Sequence, residues 1–281
     1  MPKNHFKSLF NDLELGSDGI WSSNLPESDQ KAEKRLREKV ANIQIDDYLD
    51  SVAKYHSIPV MDHEVKKYLG LMPFGSVILD IGGCWGWHWR DIKNIRPDVY
   101  IIIIDFVRSN LLHAKNVLGS LIGNQVELVH ADATALPFSN EVIDGVWTVQ
   151  SFQHIPSYTS AFNESYRVLK KNGRFINYAL HITPAIQFIY RILGKKYHLE
   201  GEIKGSFYFI RANNKQKDEL ENIFSGEVHD KYSECLFNPD LKITFTGREY
   251  SWIGILDYYL GKCSFISSMI ARQRSFEVVK N

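Results

Sequence analysis

Cysteine is scarce in this chain: only Cys84, Cys235 and Cys263 occur in 281 residues, far apart and without a C-x-x-C pair. That spacing excludes a disulfide framework and a cysteine-based metal site, and it fits a reducing compartment, the cytoplasm. Net charge is missing as well, because 33 basic residues balance 33 acidic ones. No global field then draws the chain to nucleic acid or an anionic membrane, and a neutral or locally paired partner is the expectation. No group of His, Cys, Asp and Glu has ligand spacing, so no metal is expected. Long apolar runs are lacking too. The first fifteen residues hold no apolar core of signal-peptide length. The stretch Trp252–Ile270 is interrupted by Asp257, Lys262 and several serines, and Ile182–Leu193 is too short to span a bilayer. The second of these reads as a core or lid helix, and the basic pair Lys195 and Lys196 behind it leaves a membrane-surface contact as the alternative.

The chain does have the length for one substantial α/β domain with additions. Residues 1–73 read as an N-terminal helical extension. Within it the charged run Lys31–Lys39 suits a solvated helix. Tyr48, Val52 and Tyr55 recur at helical spacing, Pro59 interrupts, and Val65, Tyr68, Leu69 and Met72 form a second stripe after Asp62.

From Ser76 strands and helices alternate. Apolar runs at Val77–Ile81, Tyr100–Ile104, Val126–His130 and Ile143–Val149 are the first four strands. Helices fall around Trp87–Ile95, at the stripe Leu111, Ala114, Leu118 and Leu121, and after a Ser157 cap with an apolar face at Tyr158, Ala161, Phe162 and Val168. Gly173 ends that last helix, and Arg174–Leu180 is the fifth strand. Such alternation implies the α/β class: a doubly wound, mostly parallel sheet with right-handed crossovers, and a binding core over 74–180. Residues 181–212 break the rhythm and read as an inserted helical lid for substrate recognition. Residues 213–281 read as the C-terminal part of the core, with a helix over Lys215–Phe224 and strand-like segments at Val228–Leu236 and Phe265–Ala271.

Ligands in such sheets bind at the carboxyl ends of the strands, where Gly82, Asp105, Asp132 and Gln150 all fall. The first strand runs into Asp80-Ile81-Gly82-Gly83-Cys84-Trp85-Gly86, a glycine-rich turn that lets backbone approach a ligand. Further along stand Asp105, Asp132-Ala133-Thr134-Ala135-Leu136-Pro137-Phe138, Ile143-Asp144-Gly145-Val146, Gln153-His154-Ile155 and Arg167-Val168-Leu169-Lys170-Lys171-Asn172-Gly173. In this order the segments resemble those of class I S-adenosylmethionine-dependent methyltransferases of the small-molecule type. The family's middle glycine is replaced here by Cys84, with Gly83 one place early.

The resemblance implies S-adenosyl-L-methionine as cofactor and a small-molecule methyl acceptor. An ionised Asp105 suits the ribose diol, since charge-assisted hydrogen bonds to two hydroxyls are strong. Asp132 suits the adenine amine, and Phe106 and Ala133 beside these acids join the cofactor-binding set. Gly82, Gly83 and Gly86 would pass beneath the methionine and ribose, with Asp80 touching the ligand or orienting the turn through backbone amides. Gln150 faces the methionine end. Of Trp85, Trp87 and Trp89, one borders the pocket in this reading and two pack. Catalysis is then an in-line displacement at the sulfonium methyl, with oxygen and nitrogen acceptors favoured and positioning supplying much of the acceleration. A hydroxyl acceptor benefits from a general base, for which His154 and His181 are the candidates. Aromatics such as Tyr178, Phe188, Tyr190, Tyr197 and Phe209 would close over it. A lipid-linked acceptor reached from the membrane surface is compatible with this reading, and the sequence leaves the oligomeric state open.

Two rival readings remain. Tyr166 and Lys170 have the Y-x-x-x-K spacing of short-chain dehydrogenases, with Ser151 upstream, which would imply a nicotinamide oxidoreductase. Against it, Cys84 and Trp87 occupy the second and third glycine places of G-x-G-x-x-G. A non-catalytic S-adenosylmethionine-binding module is the other, favoured by Cys84 and opposed by the retained acids Asp105 and Asp132.

Overall fold

The computed structural model describes residues 6–10, 13–23, 48–203, 207–237, 239 and 252–281, so the charged run at Lys31–Lys39 lies outside the described residues. Two short strands come first, β1 (Glu14–Leu15) and β2 (Trp21–Ser22), then α1 (Tyr48–Ala53) and α2 (Ile58–Gly70). The core follows with β3 (Val77–Ile81), a 3-10 turn at Trp87–Trp89, α3 (Ile92–Ile95), β4 (Tyr100–Asp105), α4 (Arg108–Leu118), β5 (Val126–His130), β6 (Ile143–Val149), α5 (Tyr158–Val168) and β7 (Leu169–Leu180). After it come α6 (Pro184–Ile192), β8 (Glu200–Ile203), β9 (Phe207–Ile210), α7 (Asn214–Phe224), β10 (His229–Ser233), α8 (Trp252–Gly261), α9 (Ser264–Ile270) and β11 (Gln273–Val279).

The strands of the main sheet run in the order β1-β2-β5-β4-β3-β6-β7-β11-β10. From β2 to β7 every pairing is parallel, and the pairings at the two ends, β1 with β2, β7 with β11 and β11 with β10, are antiparallel. The chain leaves β3 toward β4 on one side and returns as β6 on the other. That reversal opens a crevice at the carboxyl end of β3, where α/β sheets bind ligands. Near-continuous apolar strands such as Tyr100–Asp105 bury both faces, one against α5 and α7 and the other against α2 and α4.

Several local expectations change. The N-terminal extension is not helical throughout, because β2 joins the sheet beside β5, anchored by Trp21 Nε1 donating to Glu127 Oε2 at 3.0 Å. Pro59 sits in the first turn of α2 and starts that helix instead of interrupting one. The helix expected at Trp87–Ile95 is two separate turns. A regular helix would point Trp87 and Trp89 apart, whereas the broken path buries Trp87, His88, Trp89 and Ile92 together. Ser157 occupies the N-cap position of α5 without a side-chain cap bond. Gly173 lies inside β7, since α5 already ends at Val168 and Leu169 pairs with Ile143. The segment after Leu180 is a helix followed by the hairpin β8–β9, not helical alone. Phe265–Ala271 is helical, and the strand expected there is Gln273–Val279, whose charges hid it: Arg274 pairs with Asp230 and Glu277 with Lys231 and Arg174.

Candidate active site

At the carboxyl ends of β3, β4, β5 and β6 lies a cavity of about 400 Å³, within the range of small-molecule pockets. Asp80, Gly82, Gly83, Asp105, Phe106, Asp132, Ala133, Gln150 and His154 all line it. Gly86 and His181 do not.

Burial orders the two acids that end strands. Asp105 Oδ1 accepts from Val107 N at 2.8 Å, and Asn110 Nδ2 reaches both carboxylate oxygens at 3.3 Å. Asp132 Oδ1 accepts from Thr134 N and from Thr134 Oγ1, each at 2.8 Å. In both turns one oxygen is committed to backbone, which fixes the carboxylate plane against the cavity. Gln150 takes φ 52, and its Nε2 is buried without a partner beside the same space. A buried amide donor in that state is a ready partner for an anionic or carbonyl group of a ligand.

The glycine turn works differently from the expectation. Gly82 N and Gly83 N both donate to Ile104 O, so Asp80 does not hold these amides. Asp80 accepts instead from Trp89 Nε1 at 2.7 Å. Burial raises its pKa to about 7, against the lowering effect of the Trp89 bond, and the charge of Asp105 adds to the rise. Gly82 has φ 67, and a Cβ there would collide with Ser151 Oγ, so the residue it makes room for is Ser151. Gly86 packs away from the cavity, where a Cβ would stand 2.7 Å from Ile103 Cδ1 and 2.8 Å from Leu118 Cδ1. Cys84 adopts φ 50, the left-handed conformation a glycine would take, and so keeps the turn closed.

The histidines also separate. His154 Nδ1 lies 3.2 Å from Tyr208 O and its Nε2 lies 3.1 Å from Gln153 Nε2, which ties the cavity rim to β9. His181 is off the cavity at the end of β7, its Nε2 2.9 Å from Ser268 O and its ring 5.0 Å from that of Tyr232. Desolvation pulls its pKa down to about 4. It does not line the cavity, so the geometry lends no support to it as the base expected from sequence.

Sequence reasoning missed part of the lining. Ser51, Tyr55 and His56 from α1 and the turn after it, with Trp87 and His88, complete the cavity. Neither ring nitrogen of buried His88 has a partner, and Nδ1 of His56 has none. The His88 ring stacks on Trp87, centroids 4.0 Å apart, and meets Trp147 edge-on at 5.8 Å. Burial holds the His88 pKa well below 6.5 and takes that of His56 down to about 3, with the positive charge of Arg272 assisting at His56. Both rings are neutral across the physiological range. Two tryptophans, Trp85 and Trp87, border the cavity, and Trp89 is the one committed to packing. The only sequence signal for this part was the density of aromatics around His88.

Tyr166 and Lys170 are remote from the cavity. Lys170 Nζ pairs with Asp144 Oδ1 at 2.8 Å, and the Tyr166 ring packs on Phe224 with Lys280 above it. The dehydrogenase reading therefore loses its two central residues. Among the described residues no group of His, Cys, Asp or Glu is placed to hold a metal, and no helix is long and apolar enough to cross a membrane.

Residues 79–177 match the family described as "Methyltransferase domain". The chain is 29% identical over 171 residues to a demethylmenaquinone methyltransferase of Oceanobacillus iheyensis, covering 56% of this chain and 71% of that protein. It spans about half the length of two further relatives of that name, 55% in Bacillus cytotoxicus and 43% in Listeria welshimeri. Among solved structures, a SAM-dependent methyltransferase of Thermotoga maritima superposes with a TM-score of 0.55 at 14% identity, covering 90% of this chain and 100% of that one. A phosphoethanolamine N-methyltransferase of Haemonchus contortus in complex with S-adenosyl-L-methionine gives 0.52 at 16% identity, covering 78% and 52%. These two likenesses establish the shared fold.

Proposed function

We propose that the chain is a class I S-adenosylmethionine-dependent methyltransferase whose acceptor is a small ring-bearing molecule with a hydroxyl or amine, held by His56 and His88. The carrying observation is that buried His88, with both ring nitrogens unpartnered, and half-buried His56, with its Nδ1 unpartnered, line the same cavity as Asp105 and Asp132.

The donor set fits the cofactor. Asp105 would take the ribose diol, Asp132 the adenine amine, and the unpartnered Gln150 amide the methionine carboxylate. When bound, the cofactor supplies a methyl group on a positively charged sulfur that leaves as a neutral thioether. Cationic residues near that sulfur would repel it, and the depressed basicity of His56 and His88 keeps both rings uncharged. A neutral imidazole accepts a hydrogen bond from the acceptor's O–H or N–H and so aims the lone pair of that atom into the cavity. For a hydroxyl acceptor the proton on the methylated oxygen is acidic enough for a weakly basic ring to take, whereas a methylated alkylamine gives its proton to solvent. Trp87 and Tyr55 flank this space with aromatic surface. His154 serves as a rim residue that docks the hairpin, in place of a base.

The three cysteines form no disulfide, which supports the reducing cytoplasm as the site of action. Isothermal titration with S-adenosylmethionine, followed by methyl transfer to phenolic and ring-amine acceptors, tests the reading. Binding of cofactor with transfer to neither acceptor class rejects the acceptor proposal and leaves the enzyme class intact.

A further inference from the structure

Two helices near the C-terminus are built inside out. In α9 the buried residue is Ser267, while Phe265 (81% exposed), Ile266 and Met269 face water. In α8 the buried residues are Gly254 and Asp257, while Trp252 (72% exposed), Ile255, Leu256 and Tyr259 face outward. Asp257 is turned inward to accept from Cys235 N and Leu236 N. Next to them, α6 packs on α9 and leaves Phe188, Ile192 (68% exposed) and Leu193 in the open. A surface helix of a soluble domain carries the opposite arrangement, and exposed apolar patches of this size mark interaction sites.

The charges on these segments are one-sided. Between 182 and 199 the charged residues are Arg191, Lys195 and Lys196, all exposed. Between 252 and 271 they are buried Asp257 and exposed Lys262, whose ammonium lies 4.5 Å from the Tyr258 ring and 4.7 Å from that of Tyr259. Within 182–199 and 252–271 the exposed charges are therefore all cationic, with exposed Glu200 next in the chain, on a protein with no net charge. A symmetric pairing of two copies through this face would bring those four cations against their own duplicates. Phosphate headgroups over acyl chains match both features at once: aromatics and aliphatics insert at the acyl boundary while lysines and arginine meet the headgroups.

We propose that α6, α8 and α9 form a docking surface for an anionic phospholipid bilayer. Docking there is coupled to the cavity through β9, which follows α6 and β8 in the chain and meets His154 at the rim.

The test is flotation of the full chain with phosphatidylcholine vesicles containing about one third phosphatidylglycerol, beside vesicles of phosphatidylcholine alone. The chain floats with the anionic vesicles and much less with the neutral ones. Lys195→Glu with Lys196→Glu lowers the partition at least about tenfold, as does raised salt. Phe188→Ser with Phe265→Ser lowers it comparably, with S-adenosylmethionine affinity and thermal melting unchanged in both variants. Failure to float with anionic vesicles overturns the proposal. So does flotation that neither variant weakens. A dimer in light scattering that Phe265→Ser dissociates, without vesicle binding by the parent chain, assigns the face to a second copy instead.

Discussion

Trp89 Nε1 donates a 2.7 Å hydrogen bond to Asp80 Oδ2, joining the penultimate residue of β3 to a tryptophan nine positions later. The bond opposes the burial that raises the Asp80 pKa to about 7. Trp89→Phe removes the donor and leaves one oxygen of a buried carboxyl unsatisfied. Asp80 then holds its proton to still higher pH, and the fold loses about 1–3 kcal/mol. Urea denaturation of the variant at fixed pH measures the loss, and an unchanged midpoint would show the bond to be dispensable.

The two acids at the ends of β4 and β5 should dominate cofactor affinity. Asp105→Ala weakens S-adenosylmethionine binding at least about tenfold, the loss of a charge-assisted pair of hydrogen bonds at roughly 1.5–3 kcal/mol. Titration calorimetry on a variant shown to be folded by circular dichroism reads this directly. Unchanged affinity removes Asp105 from the ribose site.

His88 separates acceptor from cofactor. Replacing it by alanine should lower kcat/KM for the acceptor by about a hundredfold, with the cofactor Kd within about twofold, because a lost positioning bond acts on the reacting pair alone. Equal losses in both quantities would mean that His88 shapes the whole cavity and not the acceptor wall.

Much of this site was readable beforehand, and the limit has a physical form. Asp105, Asp132, Gln150 and the Gly82–Gly83 turn each sit at the end of a strand whose apolar run marks its own boundary, so position in sequence translated into position in space. His56 and His88 reach the same cavity through tertiary packing of α1 and of a broken turn, and no periodicity announces that. Gly86 and His181 were misplaced for the reverse reason. Gly86 answers to Ile103 and Leu118 in the next layer, and His181 to Ser268 on α9, a partner 87 residues away.

Gly82→Ala tests the turn itself. The methyl group would collide with Ser151 Oγ at a backbone φ of 67, so clash and left-handed strain add. The strain alone costs about 1–2 kcal/mol. Adding Ser151→Gly should recover the remainder in a double-mutant cycle, and strict additivity of the two changes would show that these residues do not meet.

Stability should respond to pH with two opposed limbs. His181 titrates near its ordinary 6.5 when unfolded and about 4 when folded, so its share of stability is intact above 6.5 and falls away as pH drops toward 4. Asp80 moves the other way, from 3.8 to about 7. Its share is full below 3.8 and is lost as pH rises toward 7. In thermal melts across this range, His181→Gln flattens the acid limb and Asp80→Asn the limb approaching neutrality. A variant profile parallel to that of the parent would contradict the corresponding assignment.

Ser57, the residue after His56, donates its backbone N–H to Glu234 Oε1 at 2.7 Å across 177 residues of chain, and Glu234 is held in turn by Arg272 at 2.7 Å. The residues proposed to bind the cofactor, by contrast, all lie between β3 and β7. Loop closure over so long a span is slow compared with successive parallel crossovers. On the proposed reading, cofactor binding is available to a partly assembled chain, while the His56 part of the acceptor site is fixed only with the last strand. An early, cofactor-competent species that discriminates poorly among acceptors is the kinetic signature to seek during refolding.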